Sequence, residues 1–148
     1  MKKFFGVNTV TECFLENILA SSAIGLLMIV VGFMYAIFIK NNYLASASKD
    51  STVKLWNIDV TSEDFGKCLF TFNEPFSHNP SQFVCLNDNY VFSESRNTDY
   101  SIRVWDIRTG QKITNLYGHT SFITSLDIKN KYLATGSYDY TAKLWNID

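Results

Sequence analysis

NKYLATGSYDYTAKLWNID, residues 130–148, repeats at an offset of 89 residues the stretch NNYLASASKDSTVKLWNID, residues 41–59, with 13 of 19 positions identical. A looser copy, DNYVFSESRNTDYSIRVWDI, fills residues 88–107 between them. Self-similarity at a period of about 40 to 50 residues marks a repeat architecture, in which each unit buries its apolar face only by stacking on the next. Each copy sets small and hydroxylated residues on alternate positions, as in Ala45, Ser46 and Ala47, then a tight polar turn, then the β-formers of Thr-x-Lys-Leu-Trp. That pattern reads as strand, hairpin turn and strand. Ahead of the last copy, the run from Phe122 to Ile128 predicts a further strand, antiparallel by its short loop at residues 129–131. After Trp105, residues 106–110 turn and residues 111–117 supply a fourth. Four short antiparallel strands per repeat make one blade of a β-propeller.

The last unit also carries Gly118-His119, Asp139 and Trp145-Asn146, and the middle unit a Trp105-Asp106 pair. On these residues the chain resembles the WD40-repeat proteins, over residues 33–148. The resemblance implies an all-β fold: a partial propeller of about three four-stranded blades, near residues 33–73, 83–117 and 118–148, the last lacking its outer strand. It implies a hydrogen-bond network in each blade, built from His119, Thr135 or Ser137, Asp139 and Trp145 in the last one. Asp99 and Trp105 stand for it in the middle unit, and Asp50 and Trp56, with Ser46 or Ser48, in the first. A buried indole N–H and a buried imidazole each need a partner, and a network that satisfies all its members fixes one packing.

The units depart from one another. Where the first should have Gly-His it has Ile29-Val30, and the middle unit is two residues longer between Tyr90 and Asp99, with His78 as the stand-in for a missing pair. The short hairpin at residues 129–131 and the LATGSYD strand look most like the F-box branch of the family, which implies a substrate-recognition role in a ubiquitin ligase. No F-box helix bundle is recognisable, and Arg96 is the one basic residue expected on the channel face, where phosphopeptide capture uses several.

A propeller ring needs about 4 to 8 blades. Three repeats therefore predict a piece of a longer propeller, or chains that assemble to complete the ring. Open end blades would present apolar sheet faces to other molecules, and the edge at residues 142–147 would accept a strand from a partner.

Residues 1–32 form a separate N-terminal segment. Between Ile18 and Ile39 lie 22 uncharged residues, long enough for a membrane helix. The repeat register gives another reading, because subtracting the offset of 89 from Phe122 to Tyr132 lands on Phe33 to Tyr43 and makes residues 33–39 the first strand of the first blade. The two readings predict a membrane-anchored protein with its propeller facing the cytosol, or a cytoplasmic one. Glu12 and Glu16 separate Lys2-Lys3 from the apolar run, which opposes a secretory signal.

Composition narrows the function. A net charge of −1 without a clustered basic face opposes nucleic-acid binding, whose affinity comes from neutralised phosphates. Three widely spaced cysteines, Cys13, Cys68 and Cys85, point to reduced thiols, with neither a disulfide frame nor a metal site. Seven glycines fall in no phosphate-cradling pattern, and Asp50, Asp99 and Asp139 recur at one place in each repeat, where a turn needs them. No catalytic set, cofactor or metal is expected. What remains is a surface for other proteins or peptides, on the loops that the resemblance brings to one face: Lys49, Arg96, Thr98, Ser121, Phe122 and Tyr138. The expected role is a non-enzymatic scaffold or adaptor, alternatively one tethered to a membrane.

Overall fold

The computed structural model describes residues 34–73, 81–95 and 97–148. The described residues form eleven strands and no helix: β1 Met34–Lys40, β2 Tyr43–Ser48, β3 Thr52–Asn57, β4 Cys68–Asn73, β5 Val84–Leu86, β6 Tyr90–Glu94, β7 Ile102–Asp106, β8 Lys112–Leu116, β9 Ile123–Lys129, β10 Tyr132–Ser137 and β11 Ala142–Asn146. They make three antiparallel sheets in chain order, β1 to β4, β5 to β8 and β9 to β11, which we call blades 1, 2 and 3.

Local chemistry sets the turns. Lys40 pairs with Tyr43 and Lys129 with Tyr132, which leaves two residues in each first hairpin. The first of those two is Asn41 or Asn130, with φ of 53° and 55°, a left-handed conformation that asparagine accepts more readily than bulkier residues. In the turn between second and third strands an aspartate folds the chain by bonding to residues ahead of it: Asp50 Oδ1 accepts the N–H of Thr52 at 2.9 Å and its hydroxyl at 2.7 Å. Asp139 does the same for Thr141, at 2.9 and 2.6 Å. Ser51, Tyr100 and Tyr140 share the next position in this turn, and all have positive φ.

The core lies between sheets. Successive side chains on a strand face opposite ways, and β5 shows the result: Val84 and Leu86 pack toward blade 1, Cys85 toward blade 3. On one side they join Ala45, Ala47, Val53, Leu55 and Phe72 of blade 1 with Val91, Trp105 and Ile107 of blade 2. The alanines let the sheets approach, and the Phe72 ring stacks on Trp105 at 5.0 Å between centroids. On the other side Cys85, Phe92, Ile102 and Val104 meet Ile123, Ile128 and Leu133 of blade 3, with Trp145 and Ile147 packed against them. Gly110, with φ of +69°, permits a further contact between blades 1 and 2, since a Cβ there would sit 2.3 Å from the Phe70 ring.

The described part of the long apolar run is a strand. Residues 34–39 lie in β1, with Ala36 opposite Ala47 and Phe38 opposite Ala45. Residues 18–33 lie outside the described residues, and among the described ones no helix is long and apolar enough to cross a membrane.

Candidate functional site

In blades 2 and 3 the segment leading into the first strand and the turn between second and third strands reach the same end of the sheet. In blade 3 this end is tied by a chain of hydrogen bonds. Trp145 Nε1–H donates to Thr135 Oγ1 at 3.0 Å, Thr135 Oγ1 lies 2.8 Å from His119 Nε2, and His119 Nδ1 lies 2.7 Å from Asp139 Oδ2. The tautomer that satisfies all four donates from Nδ1 to the carboxylate and accepts the Thr135 hydroxyl at Nε2. Asp139 Oδ2 also accepts the N–H of Thr120 at 3.0 Å. The Thr141 hydroxyl, then the Thr120 N–H, His119 and the Thr141 N–H hold the Asp139 carboxyl well below the usual carboxylate range. Gly118 precedes His119 for a steric reason: a Cβ there would meet the Trp145 ring at 3.1 Å. Ser137 does not join the imidazole; its hydroxyl donates to the Ser121 carbonyl at 3.0 Å, fastening the same segment from the end of β10.

Blade 1 keeps half of this arrangement among the described residues. Trp56 Nε1–H donates to Ser46 Oγ at 2.9 Å. Burial works to raise the Asp50 carboxyl, but the hydroxyl and N–H of Thr52, the Ser48 hydroxyl and the Lys54 charge outweigh it and leave it lowered. Ile29-Val30, at the place of the Gly-His pair, lies outside the described residues.

Blade 2 fastens the same end by different chemistry. Trp105 Nε1–H donates to Ser93 Oγ at 3.3 Å, and Asp99 accepts the Ser95 and Ser101 hydroxyls. Burial raises the Asp99 carboxyl, and the bonds from Ser95 and Ser101 with the Arg103 charge more than reverse it. Arg103, itself buried, donates from Nη2 to Ser95 Oγ at 2.9 Å. The segment leading into β5 is held by Glu94, which is fully buried: its Oε1 accepts the Gln82 N–H at 2.7 Å and its Oε2 the Phe83 N–H at 2.6 Å. The Ser81 hydroxyl adds a bond to the Glu94 carbonyl at 2.7 Å. His78 lies outside the described residues.

Of the residues expected on the interaction face, the structure brings Ser121, Phe122 and Tyr138 together: the Tyr138 N–H donates to the Phe122 carbonyl at 2.9 Å. Tyr138 is 67% exposed and Tyr140, two residues on, fully exposed. Phe122 meets Tyr100 of blade 2 edge to face, with centroids 5.2 Å apart. Lys49 and Thr98 stand exposed on the corresponding turns of blades 1 and 2, while Arg96 lies outside the described residues. Sequence reasoning missed Tyr100 and Tyr140, although they occupy the same place in two repeats. It also missed Glu94 and Arg103. No cluster of metal-ligating side chains occurs among the described residues. Burial, and then the Asp127 charge, push the Cys85 thiol up to about 12, so it stays protonated at neutral pH.

Three antiparallel meanders stacked face to face, each pinning its third-strand tryptophan to a second-strand hydroxyl, define part of a β-propeller. The model of the WD domain, G-beta repeat, matches residues 36–57 and 110–146. The chain is built of WD40 repeats. It is 49% identical over 49 residues to Mitochondrial division protein 1 of Neurospora crassa, a match covering 33% of this chain and 8% of that protein. To the DENN domain and WD repeat-containing protein SCD1 of Arabidopsis thaliana it is 30% identical over 106 residues, 69% of this chain and 8% of that one. The computationally designed Ika8 protein superposes with a TM-score of 0.62 at 32% identity, over 77% of this chain and 33% of its own. The chain thus spans less than a tenth of these two natural relatives' length.

Proposed function

We propose that the chain is a non-enzymatic interaction scaffold that binds a protein or peptide partner on the loop face of blades 2 and 3. The observation that carries this is the group formed by Tyr100, Phe122, Tyr138 and Tyr140, in which two large aromatic side chains stand 67% and 100% exposed on a rigid turn. Aromatic residues bring large contact area at small entropic cost and anchor interfaces more often than other types. Tyr140 reaches its position through a φ of 65°, a strained conformation for a bulky residue, and such strain gathers at ligand-binding and switch sites. Lys49, Thr98 and Ser121 supply a polar rim.

Blade 3 supports reading the three sheets as part of a larger ring. Its Leu144 is 69% exposed where Leu55, the same residue of blade 1, is fully buried under blade 2, and Ala134 is exposed where Ala45 is buried. Further blades, from the same protein or from another copy, would cover that face, and the mass in solution separates the two sources.

Selection of displayed peptides on the folded chain, followed by affinity measurement, tests the site. Joint Tyr138→Ala and Tyr140→Ala replacement is expected to weaken the selected peptides at least tenfold with unfolding unchanged, since neither ring enters a core cluster. Equal affinity for the double variant would overturn the proposal.

A further inference from the structure

The turn between second and third strands is built alike in all three blades. The N–H of its fourth residue, Ser51, Tyr100 or Tyr140, donates to the carbonyl of its first, Ser48, Asn97 or Ser137, at 3.1, 3.3 and 3.2 Å. Its third residue is the aspartate. What differs is the company of the carboxylate. Against burial, local donors and a cation hold Asp50 and Asp99 ionised, the cation being Lys54 for the first and Arg103 for the second. For Asp139 the Thr141 hydroxyl acts most, and against burial it is joined by the Thr120 N–H, His119 and the Thr141 N–H. These are hydrogen-bond donors, and His119 is uncharged in the tautomer that satisfies its bonds. Lys143 stands where Lys54 and Arg103 do, yet its chain lies 3.7 Å from where a Gly118 Cβ would be, and it forms no ion pair among the described residues. No lysine or arginine occupies the described turns of blades 2 and 3. The Asp139 charge thus has no counterion among the described residues.

Two exposed rings flank that charge, Tyr138 at 67% and Tyr140 at 100%. The exposure of Tyr138 belongs to the crest of the turn, since Lys49 and Thr98 at the same place are exposed in the two blades that have a neighbour beyond them. An aromatic face carries negative potential and attracts cations. The Asp139 oxygens already accept four donors, the Thr141 N–H and hydroxyl at Oδ1 and His119 Nδ1 with the Thr120 N–H at Oδ2. A carboxylate has about four lone-pair sites, so a ligand feels this charge without bonding to it. A strongly hydrated ammonium gains little where no acceptor replaces its water, whereas the planar, weakly hydrated guanidinium stacks on a ring. We infer that the turn of blade 3 receives an arginine side chain of the bound protein or peptide, its guanidinium laid on the Tyr138 ring beside the Asp139 charge. The inference rests on the reading of this loop face as the binding surface and adds the chemistry of its partner.

The probe is the acetylated and amidated pentapeptide Gly-Ser-Arg-Ser-Gly, titrated into the full chain while the ring and amide resonances of the blade 3 turn are followed by NMR. Companion peptides carry lysine, or citrulline as the neutral isostere of arginine, at the centre. The arginine peptide is expected to shift the Tyr138 resonances and to bind about fivefold tighter than the citrulline peptide, with the lysine peptide between them. Added salt should shrink that preference, because the charges are exposed to solvent. Tyr138→Phe keeps the π face and is expected to keep the preference, whereas Tyr138→Leu should lose it, both with unfolding unchanged because the ring enters no core cluster. Equal binding of the arginine and citrulline peptides, or a preference that survives Tyr138→Leu, would overturn the inference. It would fall alone where displayed peptides still lose affinity on joint Tyr138→Ala and Tyr140→Ala replacement, and together with the wider reading where they do not.

Discussion

Thr135→Val is the perturbation that the blade geometry prices most closely. The Thr135 side chain is buried, accepts the Trp145 N–H at 3.0 Å and lies 2.8 Å from His119 Nε2. Valine keeps the shape and removes both bonds, leaving the indole N–H and the imidazole nitrogen without partners. Each orphaned buried polar group costs about 1–3 kcal/mol, less where water reaches it, so the substitution is expected to destabilise by about 2–4 kcal/mol. For a unit of this size that lowers the unfolding midpoint by about 10 °C. Ser46→Ala in blade 1 is the internal control, because among the described residues the Ser46 hydroxyl is bonded to the Trp56 N–H alone, at 2.9 Å. Its expected cost is about 1 kcal/mol. Urea unfolding of the two variants and of His119→Leu, with the Thr135→Val and His119→Leu pair closed as a double-mutant cycle, reads both the ranking and the coupling. A coupling of about 1 kcal/mol or more is expected for residues that share one network. If Thr135→Val costs no more than Ser46→Ala, or if the cycle shows no coupling, the bond chain does not act as a unit and the reasoning fails.

Two further outcomes follow from the same polar groups. Glu94→Gln retains the shape of a fully buried side chain but sets an amide NH₂ against one of the N–H groups of Gln82 and Phe83. It is expected to cost about 2–4 kcal/mol and to speed hydrogen exchange at those two amides at least tenfold; unchanged exchange there would show that Glu94 does not hold the segment leading into β5. Stability is also expected to fall in acid. Asp50 and Asp99 have folded-state pKa values below their unfolded value of 3.8, so each contributes stability that is complete above that value and is lost as pH falls through the depressed folded one. Urea midpoints measured from neutral pH downward should drop once the medium reaches the carboxylate range. Asp99→Asn should start lower and drop less, and an unchanged slope would refute the assignment.

Much of this was legible before any coordinate. The duplicated stretch placed β2, β3, β10 and β11, because alternation of small and apolar residues around an aspartate turn has one simple reading. The register of the repeat offered β1 as one of two readings and left the membrane helix open beside it, because a strand buried on both faces and the end of a membrane span present the same uncharged run. The blade 3 network was readable because all its members fall on the family's pattern. Blade 2 was not, since Glu94 occupies a position that is Ala47 and Gly136 in the other units and nothing in its local sequence marks it as the clasp for a segment eleven residues earlier. Tyr100 and Tyr140 were equally hidden, because their role comes from a positive φ and a contact across blades.

The two near-identical units show why repeat identity does not carry energetics with it. Leu55 and Leu144 occupy the same position, yet Leu55 lies in the core between blades 1 and 2 and Leu144 lies in none. Burying a leucine side chain is worth about 2–3 kcal/mol relative to leaving it exposed, so one sequence position stabilises the fold at its first occurrence and is held in reserve at its second. The charge pattern differs in the same direction. Phe38 of β1 packs at the edge of the blade 1 core, whereas Asp127 stands at its place in β9 and is exposed. Blade 1 is thus shaped to hold a neighbour within this chain, whereas blade 3 keeps Ala134 and Leu144 of that face, has Gly136 and Ala142 in place of Ala47 and Val53, and adds a charge beside them. The proposed interaction face, with Tyr138 and Tyr140 exposed, lies on this same blade, so the unit that differs most from its copy in burial is also the one read as the binding surface.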